Sequence, residues 1–261
     1  MEVVFFIYGL SFFILGLSIL IYPKRGSSFR TARNLWLIAG FGLAHGINEW
    51  IDMFMMIYES NENIVLWLEI TRMVTLPGSF LFLVCFGVVE IAAYRRKFTS
   101  LKFLPVVLAG VWLGIFIFST NRFFWGDIWA RYLLCVPGAM LTSYVLLLIV
   151  PQFRNMKLYR IVRNTQLAAF TFFLYAILAG LIVKEANFFP ASYLNYSAFQ
   201  SRFGFPVQIA RTLCVFTVAF SMLGVLRVFH WERVNALQES EHRVRTIAST
   251  TPKSRQIVRK R

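Results

Sequence analysis

Seven apolar stretches divide this chain's charges between two sides, and that division limits its fold more than any other feature. The stretches cover residues 3–22, 35–57, 64–93, 101–119, 128–150, 165–183 and 206–229. Each is close to or beyond the ~20 apolar residues that carry a helix across ~30 Å of hydrocarbon. The connections after the first, third and fifth stretches are basic. They hold Lys24, Arg25, Arg30 and Arg33, then Arg95, Arg96, Lys97 and Lys102, then Arg154, Lys157, Arg160 and Arg163. Nine more Lys and Arg follow from Arg227 onward, so one side carries 21 of the 27. Eight of the 12 acids fall on the other side: Glu2, Glu49, Asp52, Glu59, Glu62, Glu69, Asp127 and Glu185. Basic connections are retained in the cytoplasm, so the amino terminus is expected outside and the carboxyl terminus inside. The fold class expected is all-α: a polytopic membrane protein, a seven-transmembrane-helix bundle with a cytoplasmic helix at its carboxyl end.

Composition points the same way. Hydrophobic residues make up 58% of the chain, against ~45–50% in soluble domains. A net charge of +15 would indicate nucleic acid in a soluble protein; here the basic residues read as topology determinants that also attract anionic lipid, and no nucleic-acid partner is expected. The first stretch follows Met1-Glu2 rather than a basic segment and closes on Pro23-Lys24-Arg25, as an anchoring helix does and a cleaved signal does not. Cys85, Cys135 and Cys214 all fall inside apolar stretches without metal-type spacing and read as packing residues.

Proline and glycine punctuate two of the stretches. Pro77-Gly78 and Pro137-Gly138 are expected to kink the third and fifth helices, because proline withdraws a backbone hydrogen bond and glycine loosens the chain beside it. The outer connections Asn121–Trp129 and Glu185–Gly204 are rich in aromatic rings, which suits segments lying in the membrane interface. After the seventh stretch, Val234, Leu237, Val244 and Ile247 form a narrow apolar stripe on a polar helix, the pattern of a short parallel coiled coil. Beyond Pro252 the tail is short and basic.

Charged residues inside apolar stretches cost at least ~2.5–3.5 kcal/mol each at the bilayer centre, so they need partners or water. Arg72, Arg131 and Arg211 lie near the outer ends of the third, fifth and seventh stretches, which all run in one direction. The second stretch runs the opposite way and brings His45, Glu49 and Asp52 to the same layer, the first two on one helix face. Glu69 stands three residues before Arg72. These seven residues form the candidate ligand site. Buried ion pairs fixing the helix arrangement and a pocket for a small anionic or polar molecule are both consistent with them, since a guanidinium matches carboxylate and phosphate in its planar fork.

Other chemistries lack their residues. The seventh stretch has no lysine for a retinal Schiff base, His45, His230 and His242 do not pair at one depth, and no metal-ligand set or other cofactor site is expected. No phosphate-binding glycine loop, nucleophile elbow or zinc-protease helix occurs, so no catalysis is expected of this chain.

The block FGLAHGINEWIDMF (41–54), the helices RMVTLPG and RYLLCVPG, and GFPVQIAR followed by LRVFHWE resemble the seven-helix membrane sensor region at the amino end of bacterial sensor histidine kinases, a region also found ahead of diguanylate cyclases. The likeness covers about residues 1–235, and LQESEHRVRTIASTTP resembles a helix leading into a PAS domain. The resemblance implies a sensor domain over 1–230, a juxtamembrane signalling helix over 231–250 and a basic tail over 251–261. It further implies the bacterial cytoplasmic membrane, two-component signal transduction, a homodimer through the last helix, and a cytoplasmic output domain or kinase as partner. The chain then stands as an input module, either part of a larger histidine kinase or diguanylate cyclase or a short version of one. A small transporter or channel, with the cluster as its substrate site, is the alternative.

Overall fold

The computed structural model describes residues 1–22, 30–94 and 96–250, and regular structure among them is helical. Pro23, Lys24, Arg25, Arg95 and the tail from Thr251 lie outside the described residues, as do the side chains of Arg30, Arg96, Lys97, His230 and Ile247. Helix α1 spans Glu2–Ile21, α2 Leu35–Ile57, α3 Glu62–Tyr94 and α4 Leu104–Phe118. Next, α5 (Arg122–Ala130) passes through a widened π-helical turn at Arg131–Cys135 into α6 (Val136–Asn155), and α7 (Tyr159–Tyr175) ends in a second such turn at Ala176–Leu181. A short α8 (Tyr196–Phe203) precedes α9 (Val207–Thr250).

Among the described residues, six helical runs are long and apolar enough to cross a membrane: Glu2–Ile21, Glu62–Tyr94, Ser100–Phe118, Arg122–Asn155, Tyr159–Leu181 and Val207–Val228. The exception is α2, 23 residues long but carrying His45, Asn48, Glu49 and Asp52. The outer surface is apolar, with Trp67, Val74, Val106, Phe170, Leu213 and Phe220 all well exposed. Such a surface fits contact with lipid, in which helices satisfy their own backbone groups.

Packing closes six helices into a ring. The order around it is α1, α2, α3, α6, α7 and α9, with α9 returning to α1. Tyr8, Phe12, Ile19, Phe41, Phe80, Leu83, Phe86 and Phe172 fill the interior. Outside the ring, α4 leans on α3 and α5, and Trp112 is its one buried residue.

The polar helix α2 is held by its glycines. A Cβ at Gly42 would come within 2.8 Å of the Phe12 carbonyl, and one at Gly46 within 2.8 Å of the Gly9 carbonyl. Only hydrogen lets the two backbones approach this closely, the usual way that membrane helices associate where lipid removes the hydrophobic drive. At the opposite end of the bundle from the arginines, Glu90 is fully buried on α3 and accepts hydrogen bonds from Thr31 Oγ1 (2.9 Å) and Asn34 Nδ2 (2.6 Å). That carboxylate fastens the turn before α2 to α3.

One expectation from the sequence changes here. Asn121–Trp129 is not an interface-lying turn: Asn121 caps a helix by accepting from the Phe124 amide, and residues 122–130 form α5, continuous with the span that follows. The fifth helix therefore begins a turn and a half earlier than its apolar stretch. Pro137 directly follows the π-helical turn, which lies where the proline ring withdraws a hydrogen bond, while Pro77 sits within an unbroken α3. In the connection before α9, Phe189 and Tyr193 are strongly exposed, whereas Phe188 packs against Trp125 and Trp129.

The α1–α2 contact sets a test. Gly46→Leu is expected to cost about 1–3 kcal/mol through overpacking and to lower the thermal midpoint in detergent. Gly114→Leu on α4, where a Cβ meets nothing within 4 Å, leaves the midpoint unchanged. Equal behaviour of the two variants would mean that α1 and α2 are not held by backbone contact.

Candidate functional site

Three arginines from three helices meet in one layer. Arg72 (α3), Arg131 (at the first π-helical turn) and Arg211 (α9) are all buried and all line one cavity of about 480 Å³. Its walls also include Glu49, Asp52 and Glu69, with Lys184 and Tyr196 from the connection before α9. Six of the seven candidate residues thus come together around the cavity, and His45 stands directly behind Glu49.

Asp127 organises the charges. Its Oδ1 accepts from Arg72 Nη2 at 2.8 Å and from Arg131 Nε at 3.2 Å. Arg72 also donates from Nε to Asp52 Oδ1 at 2.6 Å. Largely buried, this arrangement joins α2, α3 and α5 through charge-assisted hydrogen bonds, the stronger kind. Glu69 makes no ion pair with Arg72 among the described residues; it lies half-buried on the cavity wall, while Arg72 pairs with Asp52 and Asp127.

The other two arginines serve backbone carbonyls. Arg131 Nη1 donates to the Ala179 carbonyl at 3.0 Å, while Arg211 donates from Nε to Leu178 (2.9 Å) and from Nη2 to Ile182 (2.7 Å). These oxygens belong to the carboxyl end of α7, where the last turn widens and leaves acceptors unpaired. Helix ends expose such carbonyls and carry partial negative charge, which cations offset. Arg211 also lies 5.3 Å over the Tyr196 ring. It forms no ion pair with a carboxylate among the described residues.

Behind the cavity runs a buried polar chain. His45 Nε2 is 3.2 Å from Glu49 Oε1 and 3.1 Å from the Tyr175 hydroxyl, which is 3.4 Å from the Tyr8 hydroxyl. His45 Nδ1 is 2.8 Å from Ser79 Oγ, and Ser79 donates its own proton to the Leu76 carbonyl. Ser79 must therefore accept, which assigns a proton to Nδ1. The Tyr175 hydroxyl is then placed to donate to Nε2. Phe12, Phe41 and Phe80 surround the ring and exclude other partners.

Sequence reasoning missed Asp127 as a site residue, along with Tyr8, Tyr175 and Ser79. For Asp127 a signal was available: it precedes Arg131 by four residues, the same helical spacing that links His45 to Glu49. The tyrosines offered none, since a hydroxyl in an apolar stretch has no depth written beside it.

A fold of this kind defines a class no finer than an all-helical protein with membrane-length apolar helices and a charged cavity at one end of its bundle. No protein-family model, curated protein or solved structure matches the chain.

Asp127→Asn is expected to destabilise the protein by about 3–5 kcal/mol, because it strips the shared carboxylate from two buried guanidiniums. Glu69→Gln should stay within about 0.5 kcal/mol. Thermal unfolding in detergent reads both, and a larger loss for Glu69→Gln would reverse the assignment.

Proposed function

We propose that this protein is the signal-input module of a transmembrane receptor, of the kind that precedes histidine kinases or diguanylate cyclases in bacteria. In this reading the chain crosses the cytoplasmic membrane seven times, with its amino terminus outside. The seventh crossing is α2, whose Asp52 turns toward Arg72 and whose Glu49 lies against His45 one turn earlier on the same helix. A small molecule or a membrane state acts on the outer cavity, and α9 carries the result to a cytoplasmic output domain or kinase, in a homodimer joined along its last turns.

One observation carries the proposal. Arg211 stands in the cavity wall, and the same helix continues without a break to Thr250, well past the apolar segment that ends near Val228. At 1.5 Å per residue the 44 residues of α9 extend about 65 Å. No other helix of the ring joins the site to a long polar extension. Val234, Leu237 and Val244 are exposed on that extension, available to a second copy. A carrier using the same cavity would need a polar route onward, but the axis beyond His45 is filled by Phe12, Phe41, Phe80, Leu83 and Phe172.

Two measurements test the reading. With the native cysteines replaced, Ser60→Cys should label from outside intact cells and Ser100→Cys only after the membrane is opened; the reverse pattern overturns the topology. Leu237→Cys should form a disulfide-linked dimer in membranes while Asn235→Cys, on the other side of the helix, does so weakly, and Arg211→Gln should change the Leu237 yield. A yield indifferent to Arg211 would break the proposed link between cavity and extension.

A further inference from the structure

Tyr175 is the last residue of α7 before its π-helical turn, and two polar systems meet there. Its hydroxyl reaches His45 of α2, while the carbonyls of Leu178, Ala179 and Ile182 just beyond it hold Arg211 and Arg131. Protons along the buried chain run in one direction. Ser79 fixes a proton on His45 Nδ1, so Nε2 accepts from Tyr175 at 3.1 Å. Tyr175, its own proton spent, then accepts from Tyr8 at 3.4 Å. Neither hydroxyl has a further partner among the described residues. The chain shares no residue with the apolar space of about 790 Å³ between α3 and α4, which Pro77, Gly78 and Trp112 help to line.

Nε2 has a second neighbour. Glu49 Oε1 stands 3.2 Å away, and Glu49 lines the charged cavity while the ring behind it is fully buried. A neutral Nε2 accepts from Tyr175; a protonated Nε2 donates, and the carboxylate is the stronger acceptor within reach. Both bonds cannot hold at once. One proton from the outer solvent, arriving past Glu49, therefore moves Nε2 from Tyr175 to Glu49. Tyr175 can then offer its proton only to Tyr8, and one of the two hydroxyls is left buried without an acceptor. The charged groups that bear on the ring are Glu49 on its own helix, Arg131 at the first π-helical turn and Arg211 on α9. Facing it from α1 is Tyr8, from α7 Tyr175, and from α3 the uncharged Ser79 and Phe80. A void of about 10 Å³ beside Tyr175, lined also by Phe172 and by Val215 and Val218 of α9, gives the released side chain room on the α9 side. Deeper passage is closed by Phe12, Phe41 and Phe80, so the proton leaves as it entered.

We propose that His45, Glu49, Tyr175 and Tyr8 form a proton-operated latch. Without the proton on Nε2 the chain ties α1 and α2 to the end of α7; with it, that tie opens. Histidine is the side chain whose ordinary range suits such a device. The latch stands on its own geometry, whereas the step from its opening to the cytoplasmic extension, through Arg211 on the carbonyls beside Tyr175, rests on the input reading.

The full chain in nanodiscs tests the latch. It has three histidines, so a variant carrying His230→Gln and His242→Gln leaves His45 as the sole source of nitrogen-15 histidine signals. Between about pH 8 and 4, a range that holds the ordinary values of imidazole and carboxyl groups, that ring should pass from a proton on Nδ1 alone to protons on both nitrogens. Glu49→Gln should keep it in the first form throughout. Tyr175→Phe, which removes the hydroxyl and keeps the ring, should lower the thermal midpoint at the alkaline end, and its gap to the parent should close at the acid end. In the Glu49→Gln background the same gap should stay open at both ends. The parent and Tyr175→Phe suffice if Glu49→Gln fails to fold. A ring that holds one form across the range, a proton on Nε2 at the alkaline end, or a Tyr175→Phe gap indifferent to pH overturns the latch. Disulfide yield at Leu237 separates it from the input reading. A yield that depends on Arg211 but not on pH keeps the input reading and removes the latch from it; a titrating ring and a closing gap, with a yield indifferent to Arg211, do the reverse.

Discussion

One carboxylate oxygen holds the charged layer together. Asp127 Oδ1 accepts from two guanidiniums on different helices; without it Arg131 would be buried with no carboxylate partner and Arg72 would keep Asp52 alone. From that point the ties run outward. Arg72 reaches Asp52 on α2, Arg131 reaches a carbonyl of α7, and Arg211 brings α9 to the same helix end. Ring closure at this level is thus electrostatic, whereas deeper in the bundle it is made by Phe12, Phe41, Phe80 and Phe172. The division has a physical basis: the end of a helix offers unpaired backbone acceptors and its middle does not.

Polarity in α2 is the cost that the charged layer imposes, and backbone proximity offsets it. A helix with His45, Asn48, Glu49 and Asp52 gains little from apolar burial on that face, so its hold on the bundle comes from Gly42 and Gly46 against the backbone of α1. The Glu90 fastening secures the near end. Small residues and a buried carboxylate add, for this helix, to the hold of Leu35, Ile38 and Phe41 in the core.

Much of this arrangement could be read from residue order. Long apolar stretches announced the helices, because hydrocarbon permits few other structures, and the depths of Arg72, Arg131 and Arg211 followed from counting residues along them. The polar face of α2 was likewise visible in the spacing of His45 and Glu49. Three things were not. The start of α5 was hidden because Asn121, Arg122 and Asp127 look like a loop until a cap and two partners are supplied. The π-helical turns change the hydrogen-bond register without any one residue type that marks them. Which acid meets which arginine depends on lateral neighbours, and order along a chain does not state those; hence Glu69 entered the candidate cluster and Asp127 did not.

Because the ring closes without α4, that helix is attached to the bundle rather than built into it. It buries a single residue, and it packs mainly against α3 and α5, with smaller contacts to the turn that precedes it and to the π-helical turn at Arg131–Cys135. Displacing it would leave every ring contact in place and would open the space beside Pro77 and Gly78 sideways, into the plane of the surrounding lipid. The molecule therefore has two doors of different character: a polar one facing the water at its end, and a greasy one along its flank whose hinge is a whole helix.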